Sequence, residues 1–145
     1  MSSPDRTTPS IGFLLKRAQH MFRTSVDDAL RPFELTAPQF AVLSAVEASA
    51  GISNAELARL AFVTPQTMQG ILAGLERTGL LERSPHPQHG RILRSTLTDK
   101  GVRVIREART IVQAIEHRLA EAVGPALLPA FSEALSRCAD ALAEP

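Results

Sequence analysis

Two groups of side chains in this chain are suited to hydrogen bonding along an extended anionic partner. The first is short and polar, comprising Ser53, Thr64, Gln66, Thr67 and Gln69. The second is a set of arginines, Arg77 close behind the polar group and Arg91 and Arg94 further along. Gln and Thr carry donors and acceptors together and match the edge of a base pair, while Arg pairs with phosphate or with guanine. A hydroxyl at a helix start also leaves backbone N–H groups nearby where a phosphate sits well. This chemistry requires elements that hold both groups on one surface.

The sequence supplies such elements in order. Ser53-Asn54-Ala55-Glu56 is a capping box that opens a short helix, with Leu57, Leu60 and Ala61 expected to face inward. Thr64 caps the next helix, with Pro65 at the first helical position, where a missing N–H does no harm. At about 100° per residue, Met68, Ile71, Leu72 and Leu75 share one side of that helix. Gln66, Gly70, Gly74 and Arg77 share the other side, flanked by Thr67 and Gln69. After the terminating Gly79, Leu80 to Arg83 and Arg91 to Leu97 read as extended. The second stretch alternates Leu93, Ser95 and Leu97 against Ile92, Arg94 and Thr96, and the proline-rich Ser84 to Gly90 between the two is expected to be an irregular tip. Helix, short turn, helix and basic hairpin form a winged helix-turn-helix. In that module the first helix crosses the duplex backbone, the second lies in the major groove and the hairpin places an Arg beside the minor groove.

Helices flank the module on both sides. Residues 1–9 read as a flexible tail, and from Ser10 the apolar positions Ile11, Leu14, Leu15, Ala18, Met21 and Phe22 predict a helix of about five turns that Pro32 stops. Thr36-Ala37-Pro38-Gln39 is a second capping box, opening a helix with Phe40, Leu43 and Val46 that runs to about Ser49. Thr98 caps a long helix, expected to carry Val102, Ile105, Ile111, Val112, Ile115, Leu119 and Val123 inside and to break at Gly124-Pro125. A last helix carries Leu127, Leu128, Phe131, Leu135, Cys138 and Leu142. The fold class is therefore mainly α with a small β-hairpin wing.

Composition narrows the function. With 145 residues the chain holds one good-sized domain, or a small one with helical appendages, and a large two-domain enzyme does not fit. Sixteen Lys and Arg against fifteen Asp and Glu leave a net charge of +1, so attraction to nucleic acid must come from local distribution. From Ser53 to Thr98, Arg59, Arg77, Arg83, Arg91 and Arg94 outnumber Glu56, Glu76 and Glu82, whereas beyond Glu116 the acids prevail. The single Cys138 excludes an internal disulfide and a zinc site built on several thiolates, and it fits a reducing, cytoplasmic setting. No apolar run approaches the ~20 residues that span a bilayer, and no export signal opens the chain, so no membrane partner is expected.

Other chemistry is poorly supplied. His86 and His89 lack a third ligand, so no metal or other cofactor is expected. Asp27-Asp28 reads as solvated and Cys138 as a small core residue. With no phosphate loop and no nucleophile elbow, catalysis is rejected. The DNA residues have ordinary readings as well. Ser53 and Thr64 serve as caps in any case, and Gln66, Thr67 and Gln69 fit a solvated face, although their clustering on the second helix favours base contact. The hairpin context favours DNA for Arg91 and leaves Arg94 open between DNA and solvent.

Leu35-Thr36-Ala37-Pro38-Gln39-Phe40-Ala41-Val42-Leu43, Glu56-Leu57-Ala58, Leu75 to Arg83 and Leu97-Thr98-Asp99-Lys100-Gly101 resemble the MarR family of bacterial transcription regulators, in register over about Ile11 to Leu142. The resemblance implies a homodimer, with residues 10–34 and 99–145 as the dimerisation region and 35–98 as the DNA-binding domain. It also implies a pseudo-palindromic operator, and release from DNA when a small aromatic or phenolic effector enters between the layers. His20, next to Met21 and Phe22 on the first helix, is with Arg17 a candidate contact for it, although a partly exposed helix residue is the better-supported reading of His20. Peroxide sensing is not implied, because redox-sensing relatives carry a reactive Cys near the first helix. The residues depart from the family pattern at the wing, where His89 stands for the Asp that orients the minor-groove Arg and Gly90 for a residue that is often basic. On the second helix Gly70 and Gly74 replace larger, frequently basic residues, each costing roughly 1 kcal/mol of helix propensity. The expected function is a repressor whose reading helix approaches DNA closely with few basic contacts. The alternatives are a DNA binder without a ligand switch, or a protein-interaction module on the same fold.

Overall fold

The computed structural model describes residues 8–91 and 93–143. The tail expected over 1–9 falls largely outside these residues, as do the strand position of Ile92 and the acidic Glu144. A hydroxyl starts each of the first five helices: Ser10 for α1 (Ile11–Leu30), Thr36 for α2 (Ala37–Ala48), Ser53 for α3 (Asn54–Leu60), Thr64 for α4 (Pro65–Arg77) and Thr98 for α5 (Asp99–Val123). Both capping boxes close in both directions, so each satisfies two helix-start donors. A 3-10 turn, Arg31–Phe33, follows α1. The strands β1 (Leu81–Pro85) and β2 (Leu93–Leu97) form the hairpin, and α6 (Leu128–Ala143) ends the described chain.

The hairpin is antiparallel, pairing Leu81 with Leu97, Arg83 with Ser95 and Pro85 with Leu93. β1 thus runs two residues further than expected, into the stretch read as irregular. Pro85 is tolerated there because it closes the ladder at a strand end, where a missing N–H is least costly. The loop after α2 joins the hairpin, with the Gly51 N–H donating to the Ser95 carbonyl at 3.2 Å.

One core gathers the inner faces around α2. Leu43 and Val42 of α2, Leu57 of α3, Met68 and Leu72 of α4 and Ile105 of α5 are all essentially without solvent contact. Val26 and Leu30 bring in the end of α1. Four inward assignments are corrected. Leu60 is 60% exposed, because Leu57, Ala58 and Ala61 occupy one arc of α3 and Leu60 falls outside it. On α5 the buried stripe is Gly101, Ile105, Ala108 and Val112. Ile111 lies off that stripe, and Leu119 lies two turns beyond it, so both are exposed. Cys138 is exposed rather than in the core, and α6 buries none of its described residues.

Asp27 is not simply solvated either. Its Oδ1 accepts from the Ala37 N–H at 2.6 Å and its Oδ2 from Arg23 Nε at 3.2 Å, which ties α1 to the start of α2. A large apolar surface stays uncovered in the single chain, comprising Phe13, Leu14 and Met21 on α1 and Phe131, Leu135 and Leu142 on α6.

Candidate nucleic-acid interface

α4 is amphipathic in the sense its sequence requires. Met68, Leu72 and Leu75 are buried, while Gln66, Thr67, Gln69, Gly70 and Arg77 are exposed on the opposite side. Gly70 has no packing reason to be glycine, since a Cβ built on it meets nothing within 4 Å. At Gly74 a Cβ would meet only side-chain ends, Arg77 Nη2 at 3.7 Å and Gln39 Nε2 at 3.9 Å. Both glycines lower helix propensity without helping the protein's own packing. At Gly70 the helix backbone is open to an external surface, while Gly74 is half-buried.

The hydroxyls divide their bonds. Ser53 Oγ accepts from the Glu56 N–H at 3.2 Å, and Thr64 Oγ1 accepts from the Thr67 N–H at 3.1 Å. The Thr64 hydroxyl donates to Thr67 Oγ1 at 3.0 Å, so the Thr67 O–H is left to point elsewhere. Gln69 is held by an arginine from the hairpin. Arg83 Nη1 of β1 donates to Gln69 Oε1 at 2.9 Å, and Arg83 Nε pairs with Glu76. Arg83 is only 17% exposed along its side chain. Gln69 and Glu76, seven apart on α4, share a face that the sequence makes visible; the partner reaching in from β1 is not.

The far end of α4 is clamped to α5. Thr98 Oγ1 donates to the Gly79 carbonyl at 2.6 Å and accepts from the Gly101 N–H at 3.0 Å, and Lys100 Nζ donates to the Thr78 carbonyl at 2.9 Å. The Lys100 bond satisfies the carbonyl of Thr78, the C-cap of α4, which a helix end leaves free. Lys100 and Gly101 are thus positioning residues of α4, a role that no local pattern marks.

At the hairpin tip the two histidines organise the turn. His86 Nδ1 accepts from the Gln88 N–H at 3.0 Å, the His89 N–H donates to the His86 carbonyl at 3.3 Å, and the two rings lie 5.3 Å apart. No group of three metal-ligating side chains occurs among the described residues. Arg91 is exposed just beyond this turn. Arg94 is half-buried and folded back on Gly51, where a Cβ would lie 2.7 Å from its Nε; the bare Gly51 backbone is what admits it. The structure therefore brings Gln66, Thr67, Gln69 and Arg77 onto one exposed surface and seats Arg94 against the loop after α2. Arg17 and His20 lie apart, on the exposed stretch of α1. The small void under α2 and α3, lined by Ala41, Leu57 and Leu60, includes neither of them, nor does the open groove beside Asp27 and Arg31.

A helix-turn-helix with an exposed polar second helix and a hairpin wing defines a winged-helix protein. Residues 33–92 match the model of the MarR family. The chain is 40% identical over 109 residues to the HTH-type transcriptional repressor Rv2887 of Mycobacterium tuberculosis, covering 75% of this chain and 78% of that protein. The structure of Rv2887 in complex with salicylic acid superposes with a TM-score of 0.71 at 35% identity, over 91% of this chain and 98% of that one. The transcriptional repressor CouR, known from Rhodococcus jostii RHA1, superposes in its complex with a 23-mer DNA duplex with a TM-score of 0.83 at 30% identity, over 90% of this chain and 92% of that one. This chain belongs to the MarR family, and these relatives are transcriptional regulators rather than enzymes. Among the described residues no helix is long and apolar enough to cross a membrane.

Proposed function

We propose that this chain is a homodimeric transcriptional repressor of the cytoplasm that binds a pseudo-palindromic operator and leaves it when a small aromatic or phenolic molecule binds. The observation that carries the reading is the outer face of α4. Its exposed Gln66, Thr67 and Gln69 stand beside a Gly70 that nothing in the chain's own packing requires. Residues 35–98 form the reading head in this account, with Ser53, Thr64, Gln66, Thr67, Gln69 and Arg77 in and beside the major groove and Arg91 and Arg94 on the wing. Residues 10–34 and 99–145 form the dimerisation region, which supplies a use for the uncovered apolar faces of α1 and α6. The salicylic acid complex of Rv2887 supports an aromatic effector, with Arg17 and His20 as its candidate contacts. No catalytic residue, cofactor, metal or membrane enters the reading.

Gel-shift titration on duplex from the chain's own upstream region, with and without salicylate, tests it. A shift that salicylate or a related phenolic acid reverses is the expected result. A shift indifferent to every aromatic acid tried would remove the effector switch, and no shift at all would leave the fold to protein interaction.

A further inference from the structure

We infer that Arg83 fixes the amide of Gln69 so that it offers hydrogen-bond donors to the groove, which makes Gln69 a reader of guanine. The inference rests on the proposal that α4 lies in the major groove. Arginine has five N–H donors and no acceptor, so the Gln69 atom facing Arg83 Nη1 at 2.9 Å must be the carbonyl oxygen. That interaction is backed up. Glu76 holds the same guanidinium through Nε, and the planar fork of Arg83 then has a fixed orientation toward Gln69. Rotating the amide would set an NH2 group against a guanidinium, two donors face to face. The NH2 of exposed Gln69 is therefore the end turned away from Arg83, toward an outside partner.

This reverses the usual use of glutamine in the groove. A free Gln reads adenine with both ends of its amide, accepting from N6–H and donating to N7. With the amide's direction fixed by Arg83 and one lone pair of its oxygen taken, Gln69 turns two N–H donors outward, and guanine presents two adjacent acceptors, N7 and O6. Arg83 is a positioning residue in this scheme and touches no base.

The test is selection of bound sequences from a randomised duplex library by the full-length wild-type protein, by Gln69→Glu and by Arg83→Met, with thermal melting of each. Gln69→Glu leaves a carboxylate to pair with Arg83, so it is expected to fold, and it removes the donors. Wild type should select a guanine at one position per half-site, with a preference of roughly tenfold over other bases, within the range for a bidentate contact. Gln69→Glu should lose that guanine while the other positions persist, and Arg83→Met should relax the same position alone. An adenine at the Gln69-dependent position overturns the inference, and so does a folded Arg83→Met that retains the full guanine preference. If Arg83→Met does not fold, the base lost in Gln69→Glu decides by itself. A wild-type protein that selects no sequence would overturn the DNA reading, and this inference with it.

Discussion

A Cβ placed on Gly101, in the first turn of α5, would lie 2.0 Å from the carbonyl oxygen of Leu80. No side chain fits there, because the obstacle is backbone and cannot rotate away. The close approach lets the Thr98 N–H reach the same carbonyl at 3.2 Å, and it seats α5 directly against Leu80, between α4 and β1.

Gly101→Ala should therefore destabilise the protein by about 2 kcal/mol or more, toward the upper end of what overpacking costs. Urea denaturation of the two proteins measures it. A difference under about 0.5 kcal/mol, the size of an ordinary surface change, would show that the helix and strand are not in this contact.

Phe62, in the turn between α3 and α4, has φ of 55° and is 95% exposed. The left-handed conformation costs a residue with a Cβ roughly 1–2 kcal/mol, against roughly 0.5–1 kcal/mol of extra backbone entropy for glycine. Phe62→Gly should raise the melting temperature by a few degrees. A fall would mean that the exposed ring makes a stabilising contact outside its own chain.

Arg91→Ala should weaken duplex binding roughly tenfold or more, the worth of one charge-assisted hydrogen bond. Stability should hardly change, because Arg91 is exposed at the wing turn. Fluorescence anisotropy on a labelled duplex together with a melting curve separates the two effects. Unaltered affinity would remove Arg91 from the interface.

In the proposed complex Gly70 and Gly74 of α4 add no phosphate contacts, so salt should weaken binding only modestly. Each neutralised phosphate contributes about 0.9 to the log–log slope. A handful of contacts predicts a slope well short of the roughly −10 that a heavily basic reader shows. A slope near that value would contradict close approach by a sparse surface.

What was legible in the sequence was what is local. Thr36, Ser53, Thr64 and Thr98 cap helices where their spacing to Gln39, Glu56, Pro65 and Gly101 says they should, since a cap depends on three or four neighbouring residues. Periodicity also identified the inner face of α4. It failed for Leu60, Leu119 and Cys138 because an apolar position on a helix does not reveal which surface covers it, and within one chain nothing does. The hold of Arg83 on Gln69 spans fourteen residues and two elements, and the Gly101 approach is a meeting of two backbones. Neither leaves a local pattern.

Footprinting of wild-type protein on its own upstream region, at single-base resolution, addresses the central claim directly. Two protected half-sites with centres about 10 to 10.5 bp apart, related by a dyad, are the predicted result. Protection of a single half-site, or none at concentrations where the protein is folded, would contradict the account.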